Sequence, residues 1–452
     1  MRTDAIGQAL DAKPWYSDLT ANHWRILTAS FFGWIFDGFE TFALILVLPF
    51  ALKSLLTPDQ LTKPAFWAGI AISSTLLGWG IGGMIGGILA DYVGRKRMMM
   101  WSVLLYAVFT GLTAFSHTFF ALVALRFLTG LAMGSEWSTG VALVSETWPA
   151  RARAKGCGFL QSGFGWGTLL AAIVWLILAR FHPLGSETWR LVFVVGVLPA
   201  FFVLYIRRAV NESERWLTSV REKSWATTEV DARTAHAPSA NAKRPFTLTE
   251  IFREPEGRRR ALLAFLLSLS TTVGWWAISS WLPIYTTHLA TVAGYATPAM
   301  WGQWAALLYT VGAVVAYLLS GFVADAIGRR NFLFLTYLGA LVMTPVTYLW
   351  THSPTAMLFV AAINGFFTLG CAYSWMAIYL PELFTSSVRS TASSFVFNAA
   401  RLIAWVFPIL AGAMIGYFGG IPKAAMVLGS IYILGLIVPW FMPETRDKPL
   451  PA

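Results

Sequence analysis

Five charged side chains stand inside long apolar stretches of the chain, where charge is costly and therefore suggests function. Three of them are acids, Asp37, Glu40 and Glu136, and two are arginines, Arg126 and Arg401. A carboxylate in apolar surroundings resists ionisation unless a cation lies nearby, so pairing with an arginine, and release from it, changes the affinity of the acid for a proton. We therefore interpret these residues as candidates for carrying protons and for holding an anion.

Asp37 and Glu40 are three residues apart and lie on one face of a helix. The two apolar runs that contain Glu40 and Arg126 are predicted to run in opposite directions. At 1.5 Å per residue, Glu40 and Arg126 then lie about 16 Å and about 12 Å from the same surface of the apolar layer. The similar depths predict an ion pair between an acid of this face and Arg126, which serves either as a proton carrier or as a static buried pair. Glu136 lies closer to the opposite surface, and we expect it to belong to a gate there.

Arg401 is the only charge in the middle of an apolar stretch in the second half of the chain. Asn398 lies one turn before it and Trp405 one turn after it on the same helix face. A guanidinium without an acid in its own half fits a substrate carboxylate through two parallel hydrogen bonds. The alternative is pairing with Asp37 or Glu40 across a cavity. Further candidates for lining a binding site at similar depth are Gln161, Trp275, Trp276 and Asn364.

The composition of the chain requires an apolar environment for these residues. Of the 452 residues, 57% are hydrophobic and 12% are charged, whereas a soluble domain averages about 25% charged residues. The mean hydropathy is +0.61. These values exclude a soluble enzyme, a disordered chain and a coiled coil. No phosphate-binding loop, metal-ligand spacing or disulfide framework is present, so the sequence predicts no cofactor apart from protons as a coupling ion.

A helix that crosses a membrane needs about 20 mostly apolar residues. We number the predicted spans 1 to 12 in chain order: 26–52, 66–90, 98–116, 118–142, 156–180, 189–206, 260–287, 299–324, 332–351, 355–380, 387–418 and 423–442. The first run lacks the cleavage site of a signal peptide, and we expect it to be retained. The predicted units are therefore a first bundle at 1–206, a cytoplasmic linker at 207–259 and a second bundle at 260–452.

The net charge of +11 is unevenly distributed. Apart from Arg126 and Arg401, the lysines and arginines that fall outside the predicted cytoplasmic side are only Lys53, Lys63, Arg180, Arg190 and Lys423. This bias follows the positive-inside rule and predicts a multi-pass protein of the plasma (inner) membrane with both termini in the cytoplasm. The basic charge therefore reports topology and gives no reason to expect nucleic-acid binding.

The two halves of the chain repeat one another. GGILADYVGRKR at 86–97 returns as SGFVADAIGRRN at 320–331, and SETWPARARAKG at 145–156 returns as PELFTSSVRSTA at 381–392. Such duplication is typical of transporters whose two bundles rock around a central site. Charges at the matching loops predict a cytoplasmic gate, with solvation by lipid headgroups as the alternative. The gate residues would be Asp91, Arg95, Arg97, Glu146, Arg153, Asp325, Arg329, Glu382 and Arg389, together with Glu136.

These motifs resemble the major facilitator superfamily over nearly the whole chain, including PETRDKPL near the C-terminus. Within it, FFGWIFDGFETFALILVLP at 31–49 and the segment at 126–156 resemble the proton-coupled sialate, lactate and aromatic-acid symporters. Glu40 stands where that family usually has aspartate. NESERWL at 211–217 resembles the PESPRWL of sugar porters but lacks both prolines. The resemblance implies that the acid at Glu40 and Arg126, the arginine of an R-x-x-x-G helix, take part in proton coupling.

The sequence thus predicts an all-α membrane protein with two pseudo-symmetric six-helix bundles. We expect a monomeric transporter without enzymatic activity. It would import a small organic anion with protons by alternating access, the anion being a monocarboxylate, an aromatic acid or a sialic-acid-like molecule. A neutral sugar or polyol symporter would use the same acid pair without needing Arg401. A proton-driven drug exporter would have a more apolar cavity. The sequence contains no catalytic cluster that would support a polytopic membrane enzyme.

Overall fold

The computed structural model describes residues 14–222 and 246–451, and this part of the chain is helical and contains no strand. The linker sequence at 231–245, which the composition predicts to be disordered, lies outside the described residues.

Each predicted span corresponds to one helix or to a short series of helices. Spans 1 to 6 are Ala21–Leu55, Pro64–Val93, Arg95–Thr113, Phe119–Met133 with Glu136–Thr147, Ala150–Phe181, and Trp189–Val195 with Pro199–Ala209. Spans 7 to 12 are Pro255–Ala277 with Leu282–Val292, Pro298–Ile327, Arg329–Pro345, Pro354–Gly365 with Ala372–Leu383, Arg389–Ala399 with Arg401–Ala404 and Phe407–Phe418, and Ile421–Gly429 with Ile433–Ile437. Spans 9 and 10 contain the π-helical segments Val346–Trp350 and Phe366–Cys371.

Ten stretches of the described chain are long and apolar enough to cross a membrane. The other two predicted spans, 3 and 11, do not meet this requirement of length and hydropathy, and each has a local cause. Span 3 begins with Arg95, Lys96 and Arg97, which lower its hydropathy, and span 11 is divided into three short helices. Both occupy the place of a full span in the order of elements, so the predicted twelve-span fold is confirmed.

Matching tight turns join span 2 to span 3 and span 8 to span 9. Gly94 and Gly328 stand at these turns with φ values of 102° and 88°, which only glycine adopts without strain. We call the end of the molecule that carries these two glycines, with the loops 148–149 and 384–388, the basic end. The same local fold at both places is the structural counterpart of the repeated sequence motif.

Close helix packing joins the two halves. A Cβ at Gly158 of span 5 would lie 2.8 Å from the carbonyl oxygen of Tyr317 in span 8, and a Cβ at Gly321 of span 8 would overlap the backbone of span 5. On the other side, a Cβ at Gly83 of span 2 would lie 2.2 Å from Nδ2 of Asn398 in span 11. Small residues allow these approaches, as in other membrane helix interfaces. The central cavity lies between the two interfaces.

The predicted boundaries at 206 and 260 fall inside helices. Pro199–Ala209 continues past the first boundary and Pro255–Ala277 begins before the second. The difference has a simple cause, because an apolar run stops at the first arginines whereas a helix continues through them. Two shorter helices of the linker, Glu214–Arg221 and Thr247–Arg253, are present at its described ends.

Candidate functional site

Glu40 and Arg126 form the buried ion pair that their depths predict. Nη1 of Arg126 donates to Oε2 of Glu40 at 3.1 Å, and both side chains are 1% exposed. Nη2 of Arg126 donates to three hydroxyl groups, those of Thr110, Thr113 and Thr129, at 3.3, 2.9 and 2.8 Å. Spans 1, 3 and 4 therefore hold the guanidinium in one position, and the glutamate in place of the usual aspartate still reaches it.

Asp37 and Glu136 lie apart from this pair. Both are fully buried, and neither carboxylate has a hydrogen-bond partner among the described residues. Glu136 packs against span 1, because a Cβ at Gly33 would lie 2.0 Å from its Oε1. Glu136 forms no ion pair with the gate residues in the described chain, and its part in the gate stays a prediction. It begins the second helix of span 4 with its carboxylate directed at the Asp37 face of span 1.

Arg401 is buried beside the central cavity between two aromatic rings. Its Cζ lies 4.4 Å from the ring centre of Trp79 and 3.7 Å from that of Phe397. Its only hydrogen bond to the described chain is from Nη1 to the carbonyl oxygen of Phe397 at 2.7 Å. No acid in the described ranges lies within 4.0 Å of its nitrogens, so the alternative of a direct ion pair with Asp37 or Glu40 is absent.

The central cavity is lined by three of the four further candidates from the sequence, Gln161, Trp275 and Trp276. Gln161 already accepts a hydrogen bond from Nε1 of Trp137 at 2.7 Å. The other lining residues are Trp34, Trp79, Phe164, Tyr317, Leu369, Tyr373, Phe397 and Arg401. The sequence reasoning missed this aromatic lining, although Trp34 and Phe397 each lie one helical turn before a charge that it had identified.

Two asparagines predicted to bind substrate are placed elsewhere. Asn398 donates from Nδ2 to Ser394 at 3.0 Å and packs against span 2. Asn364 donates to the hydroxyl of Thr347 at 2.5 Å and accepts from that of Thr368 at 2.7 Å. Neither asparagine lines the central cavity in this structure, because helix periodicity gives the depth of a side chain but not the neighbour to which it bonds.

At the basic end, each half contains the same cluster of charges. In the first half, Arg95 contacts Asp91 at 3.0 Å and Glu146 at 3.2 Å. In the second, Arg329 contacts Asp325 and Glu382, both at 2.8 Å. Arg97, by contrast, is exposed and forms no ion pair with these acids. The prediction of a charge network at the repeated motifs thus agrees with the geometry for these residues except Arg97.

The two clusters are linked across the interface between the halves. Arg389 donates to Glu146 at 2.9 Å, and Asp91 accepts from the backbone N–H and the hydroxyl of Thr391 at 2.8 and 2.6 Å. Lys155 reaches Asp325 at 2.5 Å. The repeated arginines are also held alike: Arg153 donates from Nε to Ser145 O at 3.0 Å, as Arg389 does to Pro381 O. These contacts close the basic end.

Two acids that the sequence reasoning did not select complete the repeat. Glu212 accepts from the backbone N–H groups of Arg95 and Lys96, both at 3.1 Å, and Glu444 accepts from those of Arg329 and Arg330 at 3.0 and 3.1 Å. Burial raises the pKa of Glu212 in spite of its backbone hydrogen bonds. For Glu444, burial acts in the same direction, but hydrogen bonds from four backbone N–H groups lower the pKa below its usual value.

Comparisons with known proteins place the chain in a family. The model of the sugar (and other) transporter family matches residues 26–452. A putative metabolite transport protein of Haemophilus influenzae is 30% identical, over 94% of this chain and 98% of the relative. A probable 4-methylmuconolactone transporter of Cupriavidus pinatubonensis is 28% identical over 96% and 93%. The sialic acid transporter NanX of Escherichia coli is 25% identical over 96% and 97%.

Among solved structures, the proton:xylose symporter XylE bound to 6-bromo-6-deoxy-D-glucose has a similar fold. It superposes with a TM-score of 0.74 at 18% identity and covers 95% of this chain and 98% of its own. The xylose symporter is a member of the major facilitator superfamily. With the twelve spans and the repeated charge clusters, these matches show that the chain has the major facilitator fold and belongs to the sugar (and other) transporter family.

Proposed function

We propose that this protein imports a small organic anion together with protons by alternating access. The observation that carries the proposal is the position of Arg401 at the central cavity. A buried cation with one hydrogen bond is unfavourable, because desolvation costs several kcal/mol per ion unless a partner offsets it. A substrate carboxylate would supply the missing charge and accept two parallel hydrogen bonds.

The lining of the cavity supports a flat, unsaturated acid over a molecule with many hydroxyl groups. Most lining residues are aromatic, and the amide of Gln161 is already bonded to Trp137. Aromatic side chains provide stacking surfaces, whereas each unmatched substrate hydroxyl would lose its hydrogen bonds to water. The relatives named for 4-methylmuconolactone and for sialic acid agree with a small organic substrate. They include both an unsaturated compound and a compound with many hydroxyl groups.

Proton coupling would use the Glu40–Arg126 pair. The pair is buried and lies among residues of spans 1, 3 and 4, so a change in helix packing that separates its members would change the affinity of Glu40 for a proton. We place the basic end in the cytoplasm, following the positive-inside rule, and both termini with it. The chain would work as a monomer in the inner membrane, with protons as coupling ions and no other cofactor.

A proton-coupled sugar or polyol symporter is the second candidate. The fold of the xylose symporter favours it, and such a substrate would not require a cation in the cavity. The two candidate functions can be distinguished, because only an anion symporter needs Arg401 and binds an acid better than its uncharged analogue.

Uptake into proteoliposomes tests the proposal. Radiolabelled nicotinate, its neutral amide nicotinamide and xylose should be compared with and without an imposed pH gradient. We expect uptake of the carboxylate, driven by inward protons, with little uptake of the amide or the sugar. Xylose uptake without carboxylate uptake would replace the proposal by the sugar symporter. Uptake that requires sodium and persists without the pH gradient would overturn proton coupling.

A further inference from the structure

Two buried carboxyl groups play no part in the ion pairs described above. Asp37 in span 1 and Glu136 in span 4 have no exposed surface, and all four of their oxygens lack a hydrogen-bond partner among the described residues. The two groups are close enough to influence each other electrostatically. Glu136 packs on Gly33, which lies one helical turn before Asp37 in span 1. The carboxyl group of Glu136 therefore lies on the face of span 1 that carries Asp37.

The cations in the neighbourhood do not neutralise this pair. Arg126 is engaged by Glu40 and by three threonine hydroxyls. Arg401 acts on Asp37 electrostatically, but its guanidinium lies more than 4.0 Å from the carboxylate. A second acid, Glu40, adds negative charge near Asp37.

The remaining neighbours are neutral. The hydroxyl of Tyr106 in span 3 lies near the same acids and, in the described chain, also lacks a hydrogen-bond partner. Span 5 packs on this stretch of span 1 with Gly163, Phe164 and Gly167. No titratable side chain of span 5 therefore faces the acids here.

An ionised carboxylate without a partner in such a place costs several kcal/mol, and two of them repel each other as well. We propose that Asp37 and Glu136 form a second proton-binding site, separate from the Glu40–Arg126 pair and linked to the substrate anion through Arg401. This inference rests on the proposed function for its link to transport, but the protonation of the two acids can be measured without a substrate.

The link to the substrate follows from the position of Arg401. Without substrate, the field of this cation favours the ionised form of Asp37. An anion bound to Arg401 cancels that field and repels an ionised Asp37, so Asp37 takes up a proton when the anion binds. By reciprocity, protons at this site strengthen the binding of the anion. One proton from this site and one from Glu40 would then accompany each monoanion, and each cycle would carry net positive charge inward.

Infrared spectroscopy of the purified protein tests the first part. Protonated carboxyl groups have a C=O stretch that is separate from the bands of carboxylates. At neutral pH and without substrate, the pair holds one proton because the two carboxylates repel each other, so Glu136→Gln and Asp37→Asn should each reduce this band. Glu146→Gln, the matched control, should leave it unchanged because Arg95 and Arg389 hold the Glu146 carboxylate. An unchanged band in both test variants would overturn the proposal. If a variant fails to fold, the wild-type spectrum alone tests the proposal, because absence of the band at neutral pH would also overturn it.

The second part is tested with nicotinate in proteoliposomes, where the pH gradient and the membrane potential are set independently. We expect an inside-negative potential alone to drive accumulation in the wild type. Asp37→Asn should lose this response, because it removes the group that takes up the second proton, while the pH gradient still drives uptake. Accumulation that follows the pH gradient but ignores the potential in the wild type would overturn two-proton transport and leave the proposed function intact. Absence of any proton-driven carboxylate uptake would instead count against the proposed function, and the infrared result would still stand.

Discussion

Glu146 of span 4 accepts a hydrogen bond from Arg389 of span 11 at 2.9 Å, and this contact joins the two halves of the chain at the basic end. The same oxygen accepts from Arg95 at 3.2 Å. All three side chains are shielded from solvent. In the proposed cycle the basic end must open, so these contacts must break and form again in every turnover, whereas the cavity near Arg401 is built from other residues.

Asp91→Asn and Asp325→Asn should therefore slow the conformational cycle more than they weaken substrate binding. Asp91 bonds to Thr391 in the other half, and Asp325 bonds to Lys155. Turnover in proteoliposomes and equilibrium binding in detergent measure the two effects separately. Asp447→Asn is a matched control, because Asp447 is 87% exposed and surface pairs contribute about 0–1 kcal/mol. Equal losses of binding and turnover would contradict the gate assignment.

Glu40→Gln should stop accumulation while exchange of substrate across the membrane continues. Glutamine keeps the size of the side chain and a hydrogen bond to Arg126 but has no proton to release. Accumulation driven by a pH gradient and counterflow without a gradient are measured on the same proteoliposomes. Thr110→Val, which removes one weak contact of Arg126 at 3.3 Å, should retain both activities. Gradient-driven accumulation in Glu40→Gln would exclude this acid as the proton carrier.

The paired acids Glu212 and Glu444 should respond differently to pH. The pKa of Glu444 is lower in the folded protein than its usual value of 4.5, so its charged form stabilises the fold at neutral pH. That stabilisation is lost as the pH falls from the usual value through the folded one. The pKa of Glu212 is raised, with burial as the largest cause, so its contribution to stability improves as the pH falls through that raised value.

Thermal melting of Glu444→Gln and Glu212→Gln against the wild type checks this difference. Glu444→Gln should lower the melting temperature at neutral pH and have a smaller effect below the usual glutamate pKa. Glu212→Gln should be the milder change at neutral pH, because it removes a charge that burial disfavours. The reverse order of the two variants at neutral pH would show that the backbone hydrogen bonds do not act as described.

Much of the fold follows from quantities that a sequence contains directly. The lengths of apolar runs locate the spans, and the repeated motifs require matching clusters at Asp91 and Asp325. The Glu40–Arg126 pair could also be predicted, since the rise per residue fixes the depth of each group along its helix. Depth along a helix is thus the part of the site that the sequence determines.

Rotation and partner choice are the part that it leaves open. Asn398 has the right depth and the same helix face as Arg401, yet its amide bonds to Ser394 against span 2. Glu136 turns towards Gly33 and not towards the gate. Both outcomes depend on small residues in a neighbouring span that allow close approach, and the distance between two spans cannot be read from either one alone.

Arg401→Ala should weaken the binding of a carboxylate and leave that of its neutral amide almost unchanged. The substrate carboxylate would lose a charge-assisted contact with the guanidinium that is worth about 1.5–3 kcal/mol, which corresponds to about 10- to 150-fold in affinity. The carboxylate affinity of Arg401→Lys should lie between those of the wild type and Arg401→Ala, because an ammonium keeps the charge but not the planar fork of donors. Binding of nicotinate and nicotinamide to each variant provides the measurement. Asn398→Ala, one turn away and bonded within its own helix, should bind nicotinate like the wild type. Unchanged nicotinate affinity in Arg401→Ala would favour a neutral sugar or polyol as the substrate.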